Sequence, residues 1–262
     1  MKPNRYAKEI AWLLKEKYKG KLTPRAELDI ARIHKGEPVD YVIGWAPFLD
    51  THIDLSRKPH IPRPETEFWT EHAIEAMRVG EKPRKSASWR TRNKPLRVLD
   101  VFAGSGCIGI AILKHLPNAR VDFGELSTRL HSQVLKNVRM NHIRKNRTRF
   151  IHSNVFSKIK GSYDFILANP PYVPGAKRKS VTQSVLNYEP HSAIFGGRDG
   201  LFYIRKLLKE APAHLTPGGE LWMEFDTRTK KKIEKLVKKY LYKTSFHKDQ
   251  YGKWRYLRTI VG

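Results

Sequence analysis

An apolar segment that runs directly into a glycine turn indicates the fold of this chain. Leu96 to Phe102 reads as a short strand with Asp100 near its end, and Ala103-Gly104-Ser105-Gly106 and an apolar helix follow it. A strand, a glycine turn and a helix form the first unit of a doubly wound, nucleotide-binding fold. The glycines let a ligand approach the backbone where a Cβ would collide. The sequence therefore predicts an α/β protein with a ligand site at this turn.

The next strands place polar side chains at the same edge of the predicted sheet. Glu125 stands just past a strand over Ala119 to Gly124, about twenty residues after the glycine turn. An acidic residue there accepts hydrogen bonds from both ribose hydroxyls of a nucleotide cofactor. Asn154 and Val155 directly follow a third strand, Thr148 to His152, where an adenine would lie. Glycine turn and acidic residue together favour a nucleotide-type cofactor over a purely structural turn.

A fourth predicted strand, Tyr163 to Ala168, stops on Asn169-Pro170-Pro171-Tyr172. Proline lacks the N–H that a strand needs, so the four residues form a loop at the ligand-binding edge. The Asn169 side-chain oxygen and the Pro170 carbonyl can each accept one N–H of a substrate –NH2 group, while Tyr172 packs on its flat face. This grip pushes a delocalised amide or aromatic amine nitrogen towards a nucleophilic, sp3 character. The tetrapeptide alone fits an ordinary proline-terminated strand better, and the glycine turn upstream reverses that preference.

The segments around this core suggest a small module, a linker and a large domain. Residues 1–37 predict two helices, the second capped by Thr23-Pro24 and stopped by Gly36. Residues 38–62 predict a linking β-hairpin, with short β-like runs that include Tyr41 and Ile43. Residues 63–262 form the large domain, in which a helix stopped by Gly80 precedes a basic mobile loop over 80–95.

The last quarter of the chain continues the alternation of helices and strands. A long helix through Ile204 and Leu215 is closed by Pro217-Gly218-Gly219, and Glu220 to Asp226 is the fifth strand. A lysine-rich helix and two terminal β runs complete the chain, the last being Trp254 to Val261.

Charge and cysteine content limit the partners and the kind of site. Fifty-one Lys and Arg against 25 Asp and Glu give a formal charge of +26 and a pI near 10.2. A polyanionic neighbour such as RNA or a ribonucleoprotein explains this charge, and a generally basic compartment explains it equally well. The single cysteine, Cys107, excludes an internal disulfide and a Cys-based zinc site, and we expect no metal. No apolar run is long enough to span a membrane, so we expect no membrane contact.

With these motifs in place, residues 36–262 resemble the PrmC/HemK family of S-adenosylmethionine-dependent methyltransferases, which modify the glutamine of the GGQ motif in class I peptide-chain release factors. The segments that carry the resemblance are GEPVDYVIG, IPRPETE, DVFAGSGCIGI, NPPY, NYEP, GGRDGL and LTPGGELWMEF. NPPY alone is shared with DNA adenine and rRNA methyltransferases, whereas IPRPETE and NYEP look specific to this family. The resemblance implies a Rossmann-like class I fold, with a seven-stranded sheet whose last strand is antiparallel, behind a helical N-terminal domain and a hairpin.

The chain departs from the family at four places. Phe102 stands where the commoner GTGSG turn has its first glycine, Glu125 stands for the usual Asp, and Asn154 replaces a frequent Asp. Both acidic-site replacements keep a hydrogen-bond acceptor, so we expect cofactor binding to survive. The N-terminal module is shorter than the family's helical bundle, which puts its docking surface on a release factor in doubt.

The family and the residues together assign roles at the predicted site. The cofactor is S-adenosylmethionine, and its contacts are Asp100, Phe102, Ala103, Gly104, Ser105, Gly106, Glu125, Asn154, Val155 and Asn169. The catalytic residues are Asn169, Pro170 and Tyr172. Substrate contacts are these three together with Pro171, Arg63 and Glu65.

Two other functions remain open from the sequence. NPPY and the charge also suit an N-methyltransferase acting on an exocyclic amine of rRNA or DNA, and a ribosome-associated protein that has kept the fold without catalysis is the second alternative. Basic loops would supply rRNA or ribosome contacts in either case. The basic composition predicts a eukaryotic member in the mitochondrial matrix, or otherwise a cytoplasmic protein. The first helix suits a transit peptide less well, because Glu9 and Glu16 are acidic.

Overall fold

A computed structural model describes residues 5–81, 94–240 and 242–260 of the chain. The N-terminal module contains α1 (Ala7–Tyr18) and α2 (Pro24–His34). The predicted cap of α2 is confirmed, since the Thr23 hydroxyl accepts from the Ala26 N–H at 3.1 Å. Leu13 of α1 and Ile33 of α2 are buried in a small apolar cluster of their own. The two helices are thus held together by the packing of their apolar faces, which the amphipathic pattern of each helix predicts.

The prediction of β structure for Tyr41 and Ile43 is wrong. Both residues lie in the short helix α3 (Val39–Ile43), which turns their side chains into the core before Gly44 ends the helix with φ of 101°. Only β1 (Trp45–Phe48) and β2 (Thr51–Asp54) form the antiparallel hairpin. A five-residue segment with four apolar residues is too short for its period to distinguish helix from strand.

Helix α4 (Pro64–Glu81) begins inside the IPRPETE segment and carries Trp69, Ala73 and Met77 on its buried face. The predicted stop at Gly80 lies one residue before Glu81, the last described residue of the helix, so the end of the helix agrees with the prediction to within one residue as far as the chain is described. Most of the predicted mobile basic loop, residues 82–93, lies outside the described residues.

The large domain is built on a seven-stranded sheet, as predicted, within the described ranges. Its order is β5-β4-β3-β6-β7-β9-β8, and β9 runs antiparallel to both of its neighbours. Its strands are β3 (Leu96–Val101), β4 (Ala119–Glu125), β5 (Thr148–His152), β6 (Tyr163–Ala168), β7 (Leu215–Glu224), β8 (Lys243–Lys248) and β9 (Trp254–Ile260). The helices that cover it after α4 are α5 (Cys107–His115), α6 (Thr128–Met140), α7 (Gln183–Tyr188), α8 (Phe202–Glu210) and α9 (Lys230–Lys239).

The strand order reverses at β3, which pairs with β4 on one side and with β6 on the other. Val101, the last residue of β3, pairs with Ala168 at the end of β6 and with Gly124 near the end of β4. The glycine turn, the Asn169 loop and Glu125 therefore leave the sheet side by side. A crevice at such a reversal is where open α/β sheets bind ligands.

The long helix predicted through Leu215 is shorter in the structure. Helix α8 ends at Glu210, a 3₁₀ turn covers Ala211–His214, and Leu215 already begins β7. Pro217 to Gly219 accordingly lie inside β7, where the pairing with β6 shifts register between Tyr163 and Phe165. An irregular stretch in the strand accommodates the proline and glycines that the sequence pattern assigns to a turn.

The hairpin β1–β2 is attached to the large domain by side-chain amides of α6. The Asn141 Oδ1 accepts from the His52 N–H at 2.9 Å, and the Asn137 Oδ1 accepts from the Asp54 N–H at 2.8 Å. The division into module, linker and domain stays a prediction. Within the described ranges, no helix has the length and apolarity that a membrane crossing requires.

Candidate active site

A cavity of about 330 Å³ opens at the carboxyl ends of β3, β4 and β6. The predicted cofactor residues that line it are Phe102, Ala103, Gly104, Ser105, Glu125, Asn154, Val155 and Asn169. Asp100, Gly106, Pro170 and Tyr172 lie behind this lining, while Pro171 and Arg63 belong to it. The volume is that of a pocket for a small ligand or cofactor.

The turn after β3 has a backbone that its residues do not all adopt easily. Phe102 has a φ of 68°, in the left-handed region that glycine prefers, and its ring lies edge-on to Tyr203 with centroids 5.6 Å apart. Gly106 has a φ of 81°, and a Cβ there would come within 2.7 Å of Val134. The turn therefore keeps the shape of a glycine turn even at Phe102, whose side chain forms part of the cavity wall.

The carboxylate of Glu125 has hydrogen-bond acceptor sites left for a ribose. Its Oε2 accepts from the Gly104 N–H at 2.9 Å and its Oε1 accepts from the Ser127 N–H at 2.8 Å. A carboxylate offers about four lone-pair sites, so about two remain for hydroxyl donors from the cavity. Ser127 occupies the N-cap position of α6, but its side chain makes no capping bond. The residues at this edge thus fit a ribose between the glycine turn and α6.

Asp100 lies fully buried beneath the turn. Burial, and secondarily the nearby charge of Glu125, raise the pKa of its carboxyl to about 7, although the Gly109 N–H donates to Oδ2 at 3.0 Å. Its Oδ1 has no hydrogen-bond partner within the described residues. Asp100 thus supports the turn from below rather than lining the cavity.

Asn169 is held in one orientation by a buried chain of hydrogen bonds. Its Nδ2 donates to the Thr66 hydroxyl at 3.2 Å, and that hydroxyl donates to Glu224 Oε2 at 2.7 Å. The Trp69 indole N–H donates to the same carboxylate at 2.8 Å, and the Tyr172 hydroxyl donates to its other oxygen at 3.0 Å. An ionised carboxylate only accepts, so the single proton of Thr66 is committed to Glu224.

The direction of these bonds decides which end of the Asn169 amide faces the cavity. Because the Thr66 oxygen can only accept from Asn169, it selects the –NH2 end of the amide, and the Asn169 Oδ1 is left for the cavity. Both Thr66 and Asn169 line that cavity. The network thus presents an oriented acceptor to any –NH2 group that enters.

Tyr172 takes part in the network through its hydroxyl. Burial, together with the charge of Glu224, raises the pKa of Tyr172 well above its usual value, so the phenol stays a donor. Pro171, not Tyr172, contributes to the wall of the cavity. The packing of the Tyr172 ring on a substrate group stays a prediction.

The part of the chain that carries the glycine turn and the asparagine loop is similar to known proteins. A family model described as "Methyltransferase small domain" matches residues 90–194. A release factor glutamine methyltransferase of Flavobacterium psychrophilum is 31% identical over 88% of this chain and 78% of its own length. One from Lactococcus lactis is 31% identical over 86% of this chain and 77% of its own length. The chain belongs to the release factor glutamine methyltransferase family.

Solved structures show the same fold at lower identity. The ribosomal protein L11 methylase of Lactobacillus delbrueckii subsp. bulgaricus has a TM-score of 0.52 at 19% identity, over 77% of this chain and 80% of its own. A 16S rRNA methyltransferase of T. thermophilus, solved with AdoMet and guanosine, has a TM-score of 0.53 at 17% identity, over 83% of this chain and 50% of its own. This methyltransferase therefore has the class I fold that its sequence predicts.

Several residues that build the site of this methyltransferase carry no recognisable sequence signal. Thr66 stands in the IPRPETE segment that carries the family resemblance, but nothing in that segment indicates its partners, and Trp69 looks like an ordinary residue of an amphipathic helix. Glu224, buried at 1% exposure within the apolar run of β7, is the exception, since a carboxylate in such a run needs partners. Besides the IPRPETE segment, a buried acidic residue in a core strand is thus the signal that leads to the network.

The NYEP segment reaches the site through Glu189, whose side chain is fully buried. Its carboxylate pairs with the Arg63 guanidinium, accepts from the Ile61 N–H at 3.2 Å and lies 2.6 Å from His60 Nδ1. Burial by itself would raise the pKa of Glu189. The hydrogen bond and the charge of His60, together with the charge of Arg63, nevertheless hold this pKa below its usual value. Glu189 thereby fixes the start of IPRPETE against the cavity. Glu65 of that segment lies 3.8 Å from Arg255, outside the cavity lining.

Proposed function

We propose that this chain transfers the methyl group of S-adenosylmethionine to the side-chain amide nitrogen of the GGQ glutamine in a class I peptide-chain release factor. The observation that carries the proposal is the hydrogen bond from Asn169 Nδ2 to the Thr66 hydroxyl, which in turn donates to Glu224, since it leaves Asn169 Oδ1 as an acceptor for the substrate amide. Family membership supports the substrate, because the relatives bear the name of this activity over most of the chain.

The chemical problem is the poor nucleophilicity of an amide nitrogen. S-adenosylmethionine supplies a methyl group already activated on a sulfonium, so the protein mainly positions and desolvates the reactants. Asn169 Oδ1 and the Pro170 carbonyl accept the two N–H bonds of the glutamine amide and favour a pyramidal nitrogen. The methylated amide loses its extra proton afterwards to solvent or to a carbonyl, so no general base acts before the attack.

The other predicted residues position the two reactants in this proposal. Glu125 accepts from the ribose, Asn154 and Val155 lie along the adenine, and residues 102–106 lie along the methionine part, with Asp100 beneath them. Arg63, in the cavity lining, contacts the substrate backbone. Glu65 contacts the release factor outside the cavity, Pro171 lines the cavity beside the substrate amide, and the ring of Tyr172 packs against that amide.

A labelled-methyl assay tests the proposal. We expect the purified protein, given S-adenosylmethionine labelled in its methyl group and a class I release factor, to label one glutamine of the factor, as located by peptide mass spectrometry. A release factor with that glutamine replaced by alanine is the matched control and should stay unlabelled. Labelling of rRNA or DNA instead would support an exocyclic-amine methyltransferase, and cofactor binding without any labelling would support a non-catalytic protein. The relatives favour neither alternative.

The charge supports a second proposal, a contact with rRNA or the ribosome through basic loops. Lys177 to Lys179 lie in an exposed 3₁₀ segment, Gly175–Ser180, after the asparagine loop. Location in the mitochondrial matrix is a further proposal that rests on composition, and fluorescence microscopy of the tagged full chain tests it.

A further inference from the structure

A second cleft, of about 340 Å³, shares no lining residue with the cofactor cavity and begins at Pro174, two residues after the asparagine loop. Three separate parts of the chain contribute exposed basic side chains to it: Lys177 from the 3₁₀ segment, Arg198 from the turn before α8 and Lys232 from α9. We call these three residues and the space between them the basic cleft. Their separation in sequence means that only the fold brings the charges together.

The positive charge of the basic cleft is not neutralised by the acidic residues beside it. Asp199 pairs with Arg205 of α8, and Asp226 pairs with Arg228 at 2.5 Å. No ion pair to Lys177, Arg198 or Lys232 occurs within the described ranges. Three cations thus face a common space whose two lining carboxylates, Asp199 and Asp226, are each paired with another arginine, an arrangement that an anionic ligand would stabilise.

Helix α9 extends this charge beyond the cleft. Its buried face is Ile233 and Val237, and its exposed lysines are Lys231, Lys232, Lys235, Lys238 and Lys239. Lys231 and Lys235, and Lys235 and Lys239, are like charges four residues apart, a spacing that destabilises a helix. We call Lys231, Lys235 and Lys239 the exposed row of α9. It spans about 12 Å at 1.5 Å per residue, and it begins next to Lys232 of the basic cleft.

The chemistry of this surface fits phosphate better than it fits an acidic protein. Protein interfaces are poor in lysine and rely on buried aromatic or apolar anchors. The exposed large apolar side chains of the described residues are Leu22, Leu28, Leu126, Met140, Phe202 and Tyr251, and none of them lines the cleft. Lysine is a point charge on a flexible stem and needs no planar partner, which suits the phosphates of a flexible strand.

We propose that the basic cleft and the exposed row of α9 bind the sugar-phosphate backbone of single-stranded RNA. Lys177, Arg198 and Lys232 each contact a phosphate, and the strand continues along Lys235 and Lys239. The inference rests on the RNA contact proposed above and gives it a site. RNA held here would lie next to the asparagine loop without entering the cofactor cavity.

The test compares two charge-matched variants of the full chain. The cleft variant carries Lys177→Gln, Arg198→Gln and Lys232→Gln. The control variant carries Arg139→Gln, Arg144→Gln and Lys145→Gln. These exposed residues lie in the last turn of α6 and in the connection from α6 to the edge strand β5. Fluorescence anisotropy with labelled oligouridylate measures binding across a series of salt concentrations, and thermal unfolding verifies that all three proteins are folded.

The expected effect follows from counterion release. Loss of three phosphate contacts should lower the slope of log K against log salt by about 2 and the affinity at 0.1 M salt by about a hundredfold. The control variant, with the same net charge, should bind within about threefold of wild type. Methylation of an isolated release factor should not change in either variant.

The possible outcomes separate this inference from the proposals on which it rests. If wild type binds no oligouridylate, the RNA contact itself is refuted. If the cleft variant binds as well as wild type, or if both variants lose the same affinity, only the assignment of the RNA to the basic cleft is refuted. Competition by polyglutamate as effective as that by RNA would make an acidic protein the occupant and overturn the inference. A loss of methylation in the cleft variant would assign the cleft to release-factor docking instead.

Discussion

Removing the Thr66 hydroxyl tests how the site orients its catalytic amide. Thr66→Val deletes the group that accepts from Asn169 Nδ2 at 3.2 Å and donates to Glu224 Oε2 at 2.7 Å, with little change of volume. In wild type, a flipped Asn169 would place its oxygen against the Thr66 oxygen, whose proton is committed to Glu224. We expect the variant to lose this selection while the cofactor side of the cavity stays intact.

Two contributions set the size of the expected fall in kcat for Thr66→Val. One neutral hydrogen bond is worth about 1 kcal/mol, and the loss of orientation alone would halve the productive population. A catalytic group that is no longer held in place costs up to about a hundredfold in rate. We therefore expect kcat to fall about 10- to 100-fold, with cofactor Kd within about threefold of wild type.

Stability should also fall, because the buried carboxylate of Glu224 loses one of its three donors. A hydrogen bond to a charged group contributes about 1.5–3 kcal/mol, which urea unfolding would detect.

The assay combines single-turnover methylation of a release factor with calorimetric titration of the cofactor. Thr66→Ser keeps the hydroxyl and is the matched control, which should recover most of the wild-type kcat. The reasoning fails if Thr66→Val retains wild-type kcat, if Thr66→Ser is as slow as Thr66→Val, or if cofactor affinity falls in parallel with kcat.

Three further variants test the other assignments. Asn169→Ala should lower turnover at least about a hundredfold while cofactor Kd stays within a few-fold, because the lost acceptor acts on the substrate amide; equal losses in both quantities would contradict that role. Glu125→Ala should weaken cofactor binding by about 1–3 kcal/mol in a titration, and unchanged affinity would place the ribose elsewhere. For Asp100, whose pKa burial raises from 3.8 to about 7, the folded state binds a proton more tightly than the unfolded state. Its contribution to stability is therefore complete below about pH 4 and is lost as the pH rises through about 7. Asp100→Asn should remove this pH dependence. The free energy of unfolding of wild type should therefore fall by on the order of 2 kcal/mol relative to that of the variant between pH 5 and pH 8, and parallel pH profiles would contradict the assignment.

The elements that the sequence predicts well are those whose causes are local. The strand and turn over residues 96–106 combine an apolar run with glycines, and β5 and β6 occur over the predicted residues. The Thr23 cap needs only a hydroxyl and a proline at the right spacing. In each case a few neighbouring residues determine the backbone, so the local pattern suffices.

The errors occur where a local pattern is ambiguous and packing decides. Tyr41 and Ile43 satisfy either period over five residues, and burial against the rest of the chain selects the helix. Pro217 to Gly219 lie inside β7, where its pairing with β6 is irregular. Propensity is a weak prior that tertiary contacts override.

The residues of the candidate site likewise fall into those that a local pattern predicts and those that only packing brings together. Asn169, Glu125 and the glycine turn are predictable because each stands at the end of a strand or just after it, and parallel strands bring their carboxyl ends to one edge of the sheet. The partners that orient them are distant in the chain: Thr66 lies 103 residues before Asn169, and Glu224 lies 158 residues after Thr66. Hydrogen bonds between such residues depend on how α4 packs against β7, and no sequence spacing records that packing. The sequence alone therefore determined which groups stand at the edge of the sheet, and the tertiary structure decided which way the Asn169 amide faces.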